Sequence, residues 1–107
     1  MTTFDQRERA FETKFAQDEE LRFRANARRN RFLGLWAAKK LGLFGPAAES
    51  YARALVTTEV DNPGCDSVFE KVCADLKNEG MTESTHDIRR LMEEFTVQAL
   101  AEIQAGR

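Results

Sequence analysis

An all-α fold, a small four-helix bundle with an N-terminal helical or disordered extension, is what these 107 residues predict, on three observations. Apolar residues recur at the 3.6-residue period in every segment. Nothing alternates at period two over a useful length, so no strand is expected. Finally, the main helix breakers are few (Gly42, Gly45-Pro46, Pro63-Gly64 and Gly80) and divide the chain into four segments.

The first segment runs from about Phe4 to Leu41, and its composition favours helix throughout. Its apolar stripe does not stay in phase. Phe4, Phe11 and Phe15 share one narrow face with Glu8 between them, and continuing that face leads to Asp18 or Glu19 and then Arg22. A new stripe begins at Leu21 and runs through Ala25, Phe32, Leu35 and Trp36. At 100° per residue the two stripes differ by roughly a third of a turn, so one straight helix cannot bury both against the same surface. Three arrangements satisfy this: a long bent helix, an N-terminal turn folded back on the bundle, or a detachable recognition segment ending in Asp18-Glu19-Glu20. The opposite face carries Phe23, Ala27, Asn30 and Gly34, small enough in part to let another helix, the N-terminal segment or a partner approach closely.

The second helix is expected over 46–60, opened by Gly45-Pro46 because proline suits the first helical position, and buried through Ala48, Tyr51, Ala52, Leu55 and Val56. Asp61-Asn62-Pro63-Gly64 forms a loop. The third, about 66–79, buries Phe69, Val72, Cys73 and Leu76, with Asp66 or Ser67 as N-cap and Gly80 as its stop. The fourth starts at Ser84-Thr85-His86-Asp87, close to a capping box, and buries Ile88, Leu91, Met92, Phe95, Ala99 and Ile103.

Composition narrows the function classes. The apolar share of 42% is ordinary, and the charged share of 32% suits solvated helix faces. No apolar run approaches the roughly 18 residues needed to cross a bilayer, and the first residues are too polar for a signal peptide. The expectation is a cytoplasmic protein without membrane insertion. Cys65 and Cys73 fit no CxxC metal or redox spacing. There is no phosphate loop, GxGxxG or HExxH, and Pro63 occupies a ligand position of the one stretch resembling a calcium loop. A Cys73–His86 nucleophile pair lacks an orienting acid and an oxyanion site. Adjacent acids such as Glu93-Glu94 point away from each other on a helix. The chain reads as a non-enzyme that binds another protein, with no metal and no cofactor. Weak adenine-nucleotide binding is permitted by the basic helix but supported by no motif.

The net charge of −2 conceals an asymmetry: residues 1–20 sum to −3, residues 21–40 hold seven bases and no acid, and residues 61–107 sum to −5. A basic helix between acidic segments can neutralise itself by folding against them. The run Arg22 to Arg31 also admits a second reading, nucleic-acid binding, with Phe23 or Trp36 stacking bases. An isoelectric point near 5.5 argues against it.

The segment 1–17 has the form of a helix-in-groove ligand: three phenylalanines on one stripe, interleaved with Arg7, Glu8, Arg9 and Glu12. Burying three rings contributes roughly 5–9 kcal/mol gross. Ordering a flexible segment costs about 2–5 kcal/mol of that, so the rim charges or the bundle must add affinity.

Several runs carry a family resemblance: Arg7-Glu8-Arg9-Ala10-Phe11-Glu12, Lys14-Phe15-Ala16, Asp18-Glu19-Glu20-Leu21, and Ala27-Arg28-Arg29-Asn30-Arg31 leading into Gly34-Leu35-Trp36-Ala37-Ala38. Over about residues 2–44 the chain resembles the zeta subunit of alphaproteobacterial F-type ATP synthases. The likeness continues through Tyr51-Ala52, Lys71-Val72, Ala74-Asp75-Leu76 and the Ile88-to-Phe95 helix, while the 61–68 loop, the C-terminal tail and both cysteines carry little of it. Zeta subunits block ATP hydrolysis by the catalytic head. Their N-terminal segment, mobile when free, enters a catalytic α/β interface as a helix and reaches towards the rotor, stopping rotation.

The resemblance implies an inhibitory segment over residues 1–18 and a bundle over 19–107 that remains outside and anchors the complex. The implied partners are the α, β and rotor subunits, met at the cytoplasmic face of the inner membrane, with the free protein a monomer. Phe4, Arg7, Glu8, Phe11, Glu12 and Phe15 are the expected partner-binding residues, chosen from the stripe within the matching segment.

Overall fold

The computed structural model of the chain describes residues 18–63 and 66–106. Four helices follow in order: α1 (Glu19–Lys40), α2 (Pro46–Asp61), α3 (Ser67–Asn78) and α4 (Thr85–Gln104), with no strand among the described residues. The expected all-α four-helix bundle is therefore present.

Local chemistry sets most of the boundaries. Asp18 is extended (φ −103°, ψ 100°), and its carboxylate accepts from the Leu21 amide at 3.0 Å, so α1 starts at Glu19. At the other end Leu43 N–H donates to Ala38 O at 2.8 Å and Gly42 N–H to Lys39 O at 3.2 Å. Gly42 supplies the positive φ that this helix-terminating pair of bonds requires. Gly80 ends α3 the same way, with Met81 N–H reaching Leu76 O at 2.9 Å. Pro46 opens α2, and Ser84 accepts from the Asp87 amide at 3.0 Å to open α4. Asp66 holds the cap position of α3 but does not cap it; its carboxylate is drawn instead to Arg89 of α4, at 2.8 Å.

Helix α1 is the spine. It packs most extensively on α2 and α4, while α3 lies across the remaining side and touches all three. The main core joins Leu33 and Ala37 of α1 to Leu55, Val68, Val72, Leu76 and Ile88. A second cluster joins Ala25 to Ala99 and Leu100, flanked by Leu21, Phe32 and Ile103. Phe32 and Phe95 stack obliquely with centroids 5.9 Å apart.

This burial departs from a single stripe on α1. Ala25 is buried, but Leu35 and Trp36 are only half-buried, and the deepest positions are Asn30, Leu33, Gly34, Ala37 and Ala38. A helix with neighbours on several sides buries several faces, and two of these positions, Asn30 and Gly34, are not apolar.

Candidate functional site

The expected partner-binding residues Phe4, Arg7, Glu8, Phe11, Glu12 and Phe15 lie outside the described residues. What the structure describes is the surface to which that segment is joined, which is built by α1 and α2.

These helices come closest at Gly34, where an added Cβ would stand 2.5 Å from the Ala52 Cα. One turn back along α1, Asn30 is completely buried. It is held in a polar knot: its Nδ2 donates to Glu59 Oε1 at 3.3 Å, and its Oδ1 accepts from Arg29 Nε at 3.1 Å. Arg29 Nη2 also donates to Glu59, at 3.0 Å. Burial holds the Arg29 guanidinium below its usual pKa, and Glu59 works against that shift by charge and hydrogen bond.

Beyond the knot, towards the start of α1, a groove of about 680 Å³ opens between the two helices. Phe23, Ala27, Val56, Val60 and Pro63 form its apolar wall, and Glu19, Arg22, Asn26 and Glu59 stand among them. Phe23 is 59% exposed and Val60 51%; of the four large apolar side chains that face solvent among the described residues, two line this groove. The Phe23–Ala27–Asn30–Gly34 face is thus shared: α2 covers its C-terminal half, and the N-terminal half is open.

The arginine run is largely neutralised within the fold. Arg28 meets Glu102 at 3.3 Å, Arg29 meets Glu59, and Arg31 meets Glu49 at 3.1 Å. Arg22 and Arg24 are exposed and make no ion pair among the described residues. Three of the five arginines are therefore turned to carboxylates of α2 and α4, which leaves little free charge for displacing counterions from a polyanion.

Away from the groove, Tyr51 donates to Asp75 at 2.7 Å, and Lys71 reaches the same carboxylate at 3.1 Å while lying over the Tyr51 ring. Burial, with Asp75 adding to it, raises the Tyr51 pKa well above its ordinary value. Burial likewise pushes the Cys73 thiol up, which disfavours the thiolate a nucleophile needs. His86 is exposed in the first turn of α4. Among the described residues no group of three or more His, Cys, Asp or Glu is placed to hold a metal ion.

The groove signal was present in the sequence only as the small-residue face; which half of that face stays open depends on where α2 ends. No curated protein matches the chain. The family model described as ATPase inhibitor subunit zeta matches residues 1–102, that is, the segment preceding α1 and all but the last turn of the bundle. The chain belongs to the ATPase inhibitor subunit zeta family.

Proposed function

We propose that this chain inhibits ATP hydrolysis by the catalytic head of an F-type ATP synthase. In this reading residues 1–17 enter a catalytic α/β interface as a helix, reach towards the rotor and block its rotation. The bundle 19–107 stays outside and anchors the complex. The single observation that carries it is the family match, which covers the N-terminal segment without a break into the bundle.

Three further features support it. The Phe4–Phe11–Phe15 stripe is out of phase with the Leu21–Ala25–Phe32–Leu35–Trp36 stripe, which suits a segment that serves a different surface. The described residues contain no helix long and apolar enough to cross a membrane, which suits a subunit that meets the synthase at its peripheral head. The chemistry on the bundle consists of ion pairs and packing, which suits a binding role. The partners are then the α, β and rotor subunits, at the cytoplasmic face of the inner membrane.

The test is ATP hydrolysis by a purified alphaproteobacterial head stripped of its own zeta. The full-length chain is titrated beside a form lacking residues 1–17 and beside F4A/F11A/F15A. Inhibition by the full-length chain alone supports the reading. Equal inhibition by all three moves the activity to the bundle, and no inhibition by any of them removes the function.

A further inference from the structure

We infer that the groove between α1 and α2 is the bundle's own contact with the synthase head, and that its occupant is an apolar ridge bearing a carboxylate on the outer rim of the α/β interface. This contact rests on the function proposed above, in which residues 1–17 enter that interface.

A second contact is what the binding balance calls for. The gain from burying three rings is largely offset by the cost of ordering the segment that carries them, so the segment alone binds modestly. A linked second contact raises the total affinity without tightening the first, because a short link holds it at high effective concentration. The link here is short. Gln17 and Glu19 are two residues apart, so their Cα atoms lie within about 8 Å of each other whatever path the chain takes. Glu19 is both the first residue of α1 and part of the groove. A bundle tethered so closely brings this end of α1 against the rim of the opening that the segment enters.

The exposed apolar side chains lie where that tether puts the contact. Phe23 and Val60 belong to the groove, at the N-terminal end of α1. Phe44 follows the far end of the same helix, which at 22 residues is about 33 Å long. Val97 faces solvent from α4, outside the groove. An exposed apolar patch rimmed by polar residues marks a protein-binding surface.

Charge narrows the occupant. Glu59 is committed to Arg29 and Asn30, and Glu19 lies in the first turn of α1, where the helix dipole favours an acid. Arg22 is the charge left over: it stands on the groove, is exposed, and makes no ion pair among the described residues. The surface that satisfies both features packs apolar side chains on Phe23 and Val60 and sets an Asp or Glu beside Arg22.

The experiment uses the full-length chain and the purified head stripped of its own zeta. F23S and V60E, at half-exposed positions outside both cores, should each raise the inhibitory concentration roughly five- to fiftyfold. R22E should raise it roughly three- to thirtyfold, and V97E and F44S should leave it unchanged. A benzophenone amino acid at position 23 or 60 should form adducts with the α or β subunit, while one at position 97 should form none. Equal inhibition by F23S, V60E, V97E and the parent chain overturns the docking. So do adducts confined to a second copy or to residues 1–17 of the same chain, which name another occupant. If the adducts to α or β form and the parent chain inhibits nothing, the proposed function fails while the docking stands.

Discussion

Gly34 of α1 lies against Ala52 of α2 so closely that the smallest possible side chain would stand 2.5 Å from the Ala52 Cα. That contact decides how near the two helices come, and therefore where the groove beyond Asn30 begins. In an exposed helix Gly→Ala stabilises by roughly 0.5–1 kcal/mol. Here the opposing atom is backbone and cannot rotate away, so the sign reverses. Gly34→Ala should lower stability by about 1–3 kcal/mol, read as a lower urea midpoint with unchanged slope.

Glu59 and Glu49 both pair with arginines of α1, yet they should differ in weight. The Arg29–Glu59 side chains are 16% and 21% exposed, against 51% and 48% for Arg31–Glu49. Removing Glu59 leaves a largely desolvated guanidinium and takes the acceptor from buried Asn30. Glu59→Ala should cost about 1.5–3 kcal/mol. Glu49→Ala should cost under about 1 kcal/mol, as for an exposed pair. A double-mutant cycle between Asn30→Ala and Glu59→Ala should show coupling of at least about 0.5 kcal/mol.

Tyr51 is the sole tyrosine, so the tyrosinate absorbance band reports it alone. Burial and the Asp75 carboxylate raise its folded-state pKa, so between the unfolded and folded values the native chain holds a proton that the unfolded chain has lost. The contribution is complete below about pH 10, where unfolded tyrosine titrates, and is lost as pH rises above that. The native chain should show no tyrosinate band near pH 10, and its denaturation midpoint should fall with further alkali more steeply than that of Tyr51→Phe.

The Ser67 hydroxyl is buried without a hydrogen-bond partner among the described residues. Ser67→Ala removes an unpaired polar group and should raise stability by up to about 1 kcal/mol, measured by the same urea titration. A loss of stability instead would mean that the hydroxyl is satisfied in solution.

Features that depend on neighbouring residues were legible in the sequence. Pro46 at a helix start lacks the N–H that the first turn would leave unpaired, while Gly80 at a helix end and Ser84 as a cap satisfy backbone groups a few residues away, and each stands where its type demands. The apolar faces of α3 and α4 were legible for the same reason, because each presents one main surface to the bundle; only Val68 and Leu100 were missed among their buried residues. The loss of phase between Phe15 and Leu21 falls where the structure starts a helix, since Asp18 caps α1 within that break.

Tertiary structure decided the rest. Asp66 reads as a cap from its position, yet Arg89, distant in sequence, draws its carboxylate away. Asn30 reads as part of a face that another helix can approach, but its complete burial in a polar knot comes from α2, which brings Glu59 to it. The groove is not a property of either helix, since it exists where α2 stops covering a face that α1 continues. Hydrogen bonds and periodicity within a helix act over three or four residues, which a sequence displays directly. Close approach, desolvation and an uncovered surface arise between elements far apart in the chain, and these appear only when the helices pack.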